Sequence, residues 1–142
     1  MAFVASINHL PPRVLPSIQA VEGGGVGTVH RNADGSEDLG VMQINTRWLP
    51  ALSVYFGLPQ NAVRANLIHA PCINIAAAGA VLRHYLDEAR GDLMLAIGYY
   101  HSHTMPLNLD YRARVVRSAA ALFGPAPETP AARHGAVTRS QE

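Results

Sequence analysis

Two carboxylates stand in contexts suited to acid–base chemistry. Glu22 closes an apolar helical segment carrying Leu15, Ile18 and Val21, and glycines follow at once. One side of its carboxyl therefore faces nonpolar surroundings, and the end of a helix disfavours a negative charge. Both effects raise a carboxyl pKa, the condition for a general acid near neutrality. The bland alternative is a surface glutamate beside a helix-ending glycine. Asp38 follows 16 residues later, after an Asn32-Ala-Asp-Gly-Ser-Glu run. A second carboxyl can act as a nucleophile or stabilise charge beside the first only when the two meet in space. Sequence separation does not give their distance, so the role of Asp38 stays open at this level.

Other arrangements carry less. Gly23-Gly24-Gly25-Val-Gly27-Thr28 follows a helix rather than a strand and has no lysine, unlike a phosphate loop. Asp34, Ser36 and Asp38 imitate the start of a calcium loop, but Leu39 stands where that loop needs glycine. His101 and His103 form a pair, and His69 precedes Cys72 by three, without a fourth ligand for zinc. We expect no metal and no cofactor. Cys72, the single cysteine, excludes an intrachain disulfide and reads as a buried small hydrophobe.

The elements that must position these groups are mostly helices. Pro11, Pro12 and Pro16 punctuate the beginning, so the first helix is expected from about Pro16 or Ser17 to Glu22. Asp34-Gly35 between short flanks predicts a small hairpin over 28–39. Gly40 to Phe56 reads as helical in part, with Pro50 forcing a restart, and a short helix is expected after Pro59. The clearest helix runs from about Pro71 to Arg90, with Cys72, Ile75, Gly79, Leu82 and Leu86 on one stripe. Asp92 can cap the next, apolar and central, to about Ser102. A last helix, about Asn108 to Phe123, is expected to bury Leu109, Ala113, Val116, Ala120 and Phe123. The polar, Pro-rich remainder predicts a flexible tail over 124–142, after a domain at 14–123 and an N-terminal extension at 1–13.

The chain has 142 residues, 49% apolar and 15% charged, enough for one domain with its own core. All 11 cationic side chains are arginine and the net charge is +1, so nucleic acid is not indicated. No basic leader precedes the first apolar residues, and Ile75 to Leu82 falls far short of the ~20 residues a membrane helix needs. We expect no membrane span and a monomer.

The run Asp34-Gly-Ser-Glu-Asp38-Leu-Gly40-Val-Met42-Gln43-Ile44-Asn45, downstream of Glu22, resembles the lysozyme-like superfamily. It is most similar to SLT-domain lytic transglycosylases that accompany secretion, conjugation and pilus machines. Pro71-Cys-Ile-Asn-Ile75, Ala96-Ile-Gly-Tyr-Tyr100-His101-Ser102 and Tyr111-Arg-Ala-Arg-Val115 continue the match in order, over about residues 14–120. The resemblance implies a mainly α, lysozyme-like α+β fold, with a small β-hairpin element and a cleft for glycan strands of peptidoglycan. It implies Glu22 as the catalytic acid and base, Met42 and Gln43 lining the cleft, and Tyr100 with its hydroxyl approaching the catalytic carboxyl. Asp38, Asn45 and His101 join them as substrate-side residues. Gly23 stands where many members have serine, and His101 where many have asparagine. Without the resemblance, Tyr100 and Met42 read as core residues, Asn45 as a cap or loop holder, and Arg114 and Arg117 as a solvated face. Trp48 could stack on a sugar or fill the core. The implied reaction is cleavage of the bond between N-acetylmuramic acid and N-acetylglucosamine with a 1,6-anhydro product, for local wall opening by a secretion, conjugation or pilus apparatus. A hydrolytic lysozyme using Glu22 and Asp38, and a non-catalytic glycan-binding component, are the alternatives. The substrate implies the periplasm or cell envelope, although the chain shows no recognisable signal peptide.

Overall fold

The computed structural model describes residues 1–124. The described residues form seven helices and a small antiparallel sheet that α4 and α5 pack against: α1 (Ala2–Ile7), α2 (Val14–Glu22), α3 (Leu49–Phe56), α4 (Gln60–His69), α5 (Pro71–Glu88), α6 (Leu93–His101) and α7 (Met105–Phe123). The sheet, between α2 and α3, has the order β1 (Val29–Arg31), β2 (Glu37–Leu39), β3 (Ile44–Asn45). A 3₁₀ turn over Thr46–Trp48 leads into α3, which Pro50 starts because its missing N–H falls where no helical partner exists. This is the mainly α, lysozyme-like α+β arrangement that the sequence predicts. β3 goes beyond the expected hairpin, pairing Asp38 with Asn45 and Leu39 with Ile44.

Leu15, Ile18, Leu39, Met42, Leu67 and Leu82 meet in one core. α5 runs through it and packs on α4, α6, α1 and α2, while α7 lies across α6 and α2. The helix expected first is the second, α2, because α1 precedes it; α2 begins at Val14, two residues before the expected start, since Pro16 falls within its first turn and needs no donor there. Residues 1–13 include α1, whose Ala5 is wholly buried within the same core. The expected tail lies, from residue 125, outside the described residues. Asp92 caps α6 as predicted, its Oδ1 accepting the Leu95 N–H at 2.9 Å.

Two helical faces differ from expectation. On α7 the inward residues are Asn108, Tyr111 and Val115, while Leu109 and Val116 are each about half exposed. The apolar stripe read from sequence is the outer one, because two of the residues facing the body, Asn108 and Tyr111, are polar and find hydrogen-bond partners there. Cys72 is exposed, not buried: it stands directly after Pro71 at the α4–α5 corner, ahead of the buried part of α5. Among the described residues no single helix is long and apolar enough to cross a membrane.

Candidate active site

Glu22 is the last residue of α2. Gly23 ends the helix in the left-handed conformation (φ 63°), its N–H donating to the Gln19 carbonyl at 2.9 Å. The next glycine is required by proximity. A Cβ on Gly24 would lie 2.2 Å from the Gly40 carbonyl oxygen and 2.9 Å from Gln43 Nε2. The end of α2 thus presses on the loop after β2, and Glu22 is carried to the mouth of a cleft of about 970 Å³.

Burial pushes the Glu22 carboxyl above its ordinary pKa. The Tyr111 hydroxyl, which donates to Glu22 Oε1, opposes that shift, the charge of Asp38 adds to it, and Arg114 opposes it. Burial and the same carboxylate push the Tyr111 phenol upward, so it remains a donor. A carboxyl in this setting holds its proton to higher pH than an exposed one.

The cleft brings together Glu22, Asp38, Gln43, Asn45, Tyr100 and His101. Asp38 is fixed on both oxygens: Asn32 Nδ2 donates to Oδ2 at 3.0 Å and Asn45 Nδ2 to Oδ1 at 2.8 Å. Asn45 also accepts the Arg47 N–H through its Oδ1, so it holds the loop as its residue type suggests while lining the cleft. Gln43 adopts φ 50° and donates through Nε2 to the Gly40 carbonyl at 2.8 Å, a tight turn that directs the next strand.

Met42 is placed differently. Its side chain is fully buried and offers no surface to a ligand; it contributes a carbonyl oxygen, which accepts the Tyr100 hydroxyl at 3.0 Å. Tyr100 therefore lines the cleft near Glu22, close enough for that charge to raise its own pKa, while its hydrogen bond goes to Met42. The tyrosine bonded to Glu22 is Tyr111, to which the sequence reading gave no role. Its signal was a large side chain three residues after Asn108 on α7, off the apparent apolar stripe.

Asn74 was also missed, although a polar residue amid the apolar face of α5 is a visible signal. Fully buried, it accepts the Met42 N–H at 2.8 Å and donates to the carbonyls of Leu39 at 2.7 Å and Leu67 at 2.8 Å. A Cβ on Gly40 would meet the Leu67 oxygen at 2.1 Å and Asn74 Nδ2 at 2.4 Å. This knot joins the sheet, α4 and α5 beneath the cleft.

One wall of the cleft is aromatic. Trp48 meets Tyr85 edge-on at 5.4 Å, and Tyr99 stacks on His103 at 4.1 Å. Trp48 belongs to both readings, lining the cleft and packing against the core. The other wall carries Asn32, Asp34, Ser36 and Asp38. Among the described residues no three His, Cys, Asp or Glu side chains converge as a metal site would need. The site can deliver a proton from Glu22 beside a fixed carboxylate, along a groove with one apolar and one polar side.

Invasion protein IagB is 31% identical to this chain over 91 residues in Salmonella typhimurium strains SL1344 and LT2 and in Salmonella typhi. The match covers 64% of this chain and 53% of each relative, so the chain spans about half the length of the curated relatives it matches. The family described as Transglycosylase SLT domain matches residues 2–114, from the first helix through the Tyr111 segment that reaches Glu22, and the chain belongs to that family.

Proposed function

We propose that the chain is a lytic transglycosylase that cleaves the β-1,4 bond between N-acetylmuramic acid and N-acetylglucosamine in peptidoglycan. The carrying observation is the Glu22 carboxyl, partly buried at the helix end, bonded by Tyr111 and opening into the cleft that Asp38 lines. Protonated Glu22 gives its proton to the glycosidic oxygen, and the C1–O bond breaks with positive charge growing at the anomeric carbon. The carboxylate then takes the proton of the muramic C6 hydroxyl as that oxygen closes on C1. No water is consumed, and a 1,6-anhydro end remains. Asp38, held on both oxygens by amides, stabilises the cationic stage electrostatically. Tyr111 positions Glu22, Gln43 and Asn45 shape the polar side, and Tyr100 and the aromatic wall face the sugar rings.

The substrate places its action in the periplasm or cell envelope. The role we propose is local wall opening for a secretion, conjugation or pilus apparatus; the relatives are named as invasion proteins. The hydrolytic reading is favoured by one observation: Asp38 lines the cleft of Glu22 with both oxygens fixed. Mass spectrometry of muropeptides released from purified sacculi separates the two. Products one water lighter than hydrolytic ends support the transglycosylase, and reducing ends overturn it. Glu22→Gln is expected to bind sacculi while releasing nothing. Equal turnover by variant and wild type would leave only a glycan-binding component.

A further inference from the structure

His101 and Tyr111 form a parallel pair, with ring centroids 4.9 Å apart and planes inclined by 4°. Tyr111 is 1% exposed and does not reach the cleft surface, whereas His101 lines it. The imidazole is thus the layer between the cleft and the tyrosine bonded to Glu22. The guanidinium carbon of Arg114 lies 5.3 Å from the Tyr111 ring centroid, so the ring is held by a stacked imidazole and a cation together.

We propose that His101 is a positioning residue for the reaction: its ring, flat on Tyr111, seals that tyrosine from cleft water and holds the Tyr111 hydroxyl on Glu22. This rests on the transglycosylase reading of the site. Tyr111 can orient Glu22 only while its ring has one setting, and flat aromatic contact restricts that setting where a small polar side chain would not. Water admitted at this point would also solvate the Glu22 carboxylate and weaken the burial that keeps its proton. The groups facing the imidazole are Tyr111, Arg114 and Asp110 on α7 and Asp38 on β2, with Glu22 on α2 reached through Tyr111. Burial and Arg114 together hold His101 below the ordinary histidine value, against Asp110 and Asp38. Both of those influences favour the neutral imidazole in the stack.

The test compares His101→Asn with His101→Phe on the whole chain. Two readings are taken: the Glu22 carboxyl titration by carbon-13 NMR, and the pH profile of kcat and KM for muropeptide release. His101→Asn opens the seal and is expected to lower the Glu22 midpoint, bring the alkaline limb of activity to lower pH, and reduce kcat about two- to tenfold with KM little changed. His101→Phe keeps the stacked surface and is expected to restore the Glu22 midpoint and kcat. An unchanged Glu22 midpoint in His101→Asn overturns the proposal. So does a His101→Phe variant that behaves like His101→Asn, since a ring nitrogen would then be the working group. The NMR titration needs no turnover, so it separates failure of this proposal from failure of the transglycosylase reading, which would show as no anhydro product from the wild type.

Discussion

Replacing Asn74 tests the knot beneath the cleft. Asn74→Leu keeps the branched shape with bulkier ends but removes the partner of three backbone groups: the Met42 N–H and the carbonyls of Leu39 and Leu67. A buried polar group left without a partner costs about 1–3 kcal/mol. Three such groups, partly relieved by local shifts, give about 3–5 kcal/mol out of a total stability on the order of 5–15 kcal/mol. For a chain of this length the melting temperature should fall by about 10–20 °C. Urea unfolding followed by circular dichroism would read the loss as a lower midpoint at unchanged slope. Asn74→Asp gives a second reading with a defined sign. It keeps the acceptor for Met42 but sets a carboxylate against two carbonyl oxygens, which raises its folded-state pKa above the unfolded one. The variant is then most stable at acid pH, and loses stability as pH rises through the folded-state value. A loss below about 1 kcal/mol in Asn74→Leu, or an Asn74→Asp variant whose stability grows with pH, would refute the reasoning.

Glu22 gives a linked prediction in the absence of substrate. Its folded-state pKa is raised by burial, so its contribution to stability is full below the ordinary carboxyl value and lost as pH rises through the folded one. Glu22→Gln should therefore melt higher than wild type in neutral buffer, with the advantage vanishing in acid; thermal scans at both ends check this. Gly24→Ala would drive a Cβ to 2.2 Å from the Gly40 carbonyl, and should cost about 1–3 kcal/mol together with most of the muropeptide release, measured by urea unfolding and product analysis. The face of α7 is tested by two neighbours. Val115→Ala should destabilise by about 1–3 kcal/mol, whereas Val116→Ala should stay within about 0.5 kcal/mol in the same assay.

Legibility from sequence followed how local each cause is. Asp92 as a cap, Asp34-Gly35 as a turn and the halt of α2 at the glycines depend on neighbours in the chain, and these were readable. Asn45 was readable in part, its capping bond being local and its grip on Asp38 depending on the β2–β3 register. The inner face of α7 was not, because apolar periodicity selects the greasier side. The side that packs carries Asn108, which bonds the Ser102 carbonyl, and Tyr111, whose partner Glu22 is distant in the chain. Met42 illustrates the same limit within one motif: residues 42 and 43 are adjacent, yet the turn at Gln43 sends one side chain into the core and the other into the cleft.

The stop of α2 works as a ruler. Each residue of a helix advances about 1.5 Å and turns about 100°. A stop displaced by one position would swing the proton donor out of the groove even if every groove-lining side chain stayed in place. Gly23 fixes that stop through its backbone alone: a side chain there would find open space, but only at a φ of 63° that L-residues resist. Any change in length ahead of Glu22 consequently turns or advances its carboxyl, and the identity of residue 23 governs aim rather than contact.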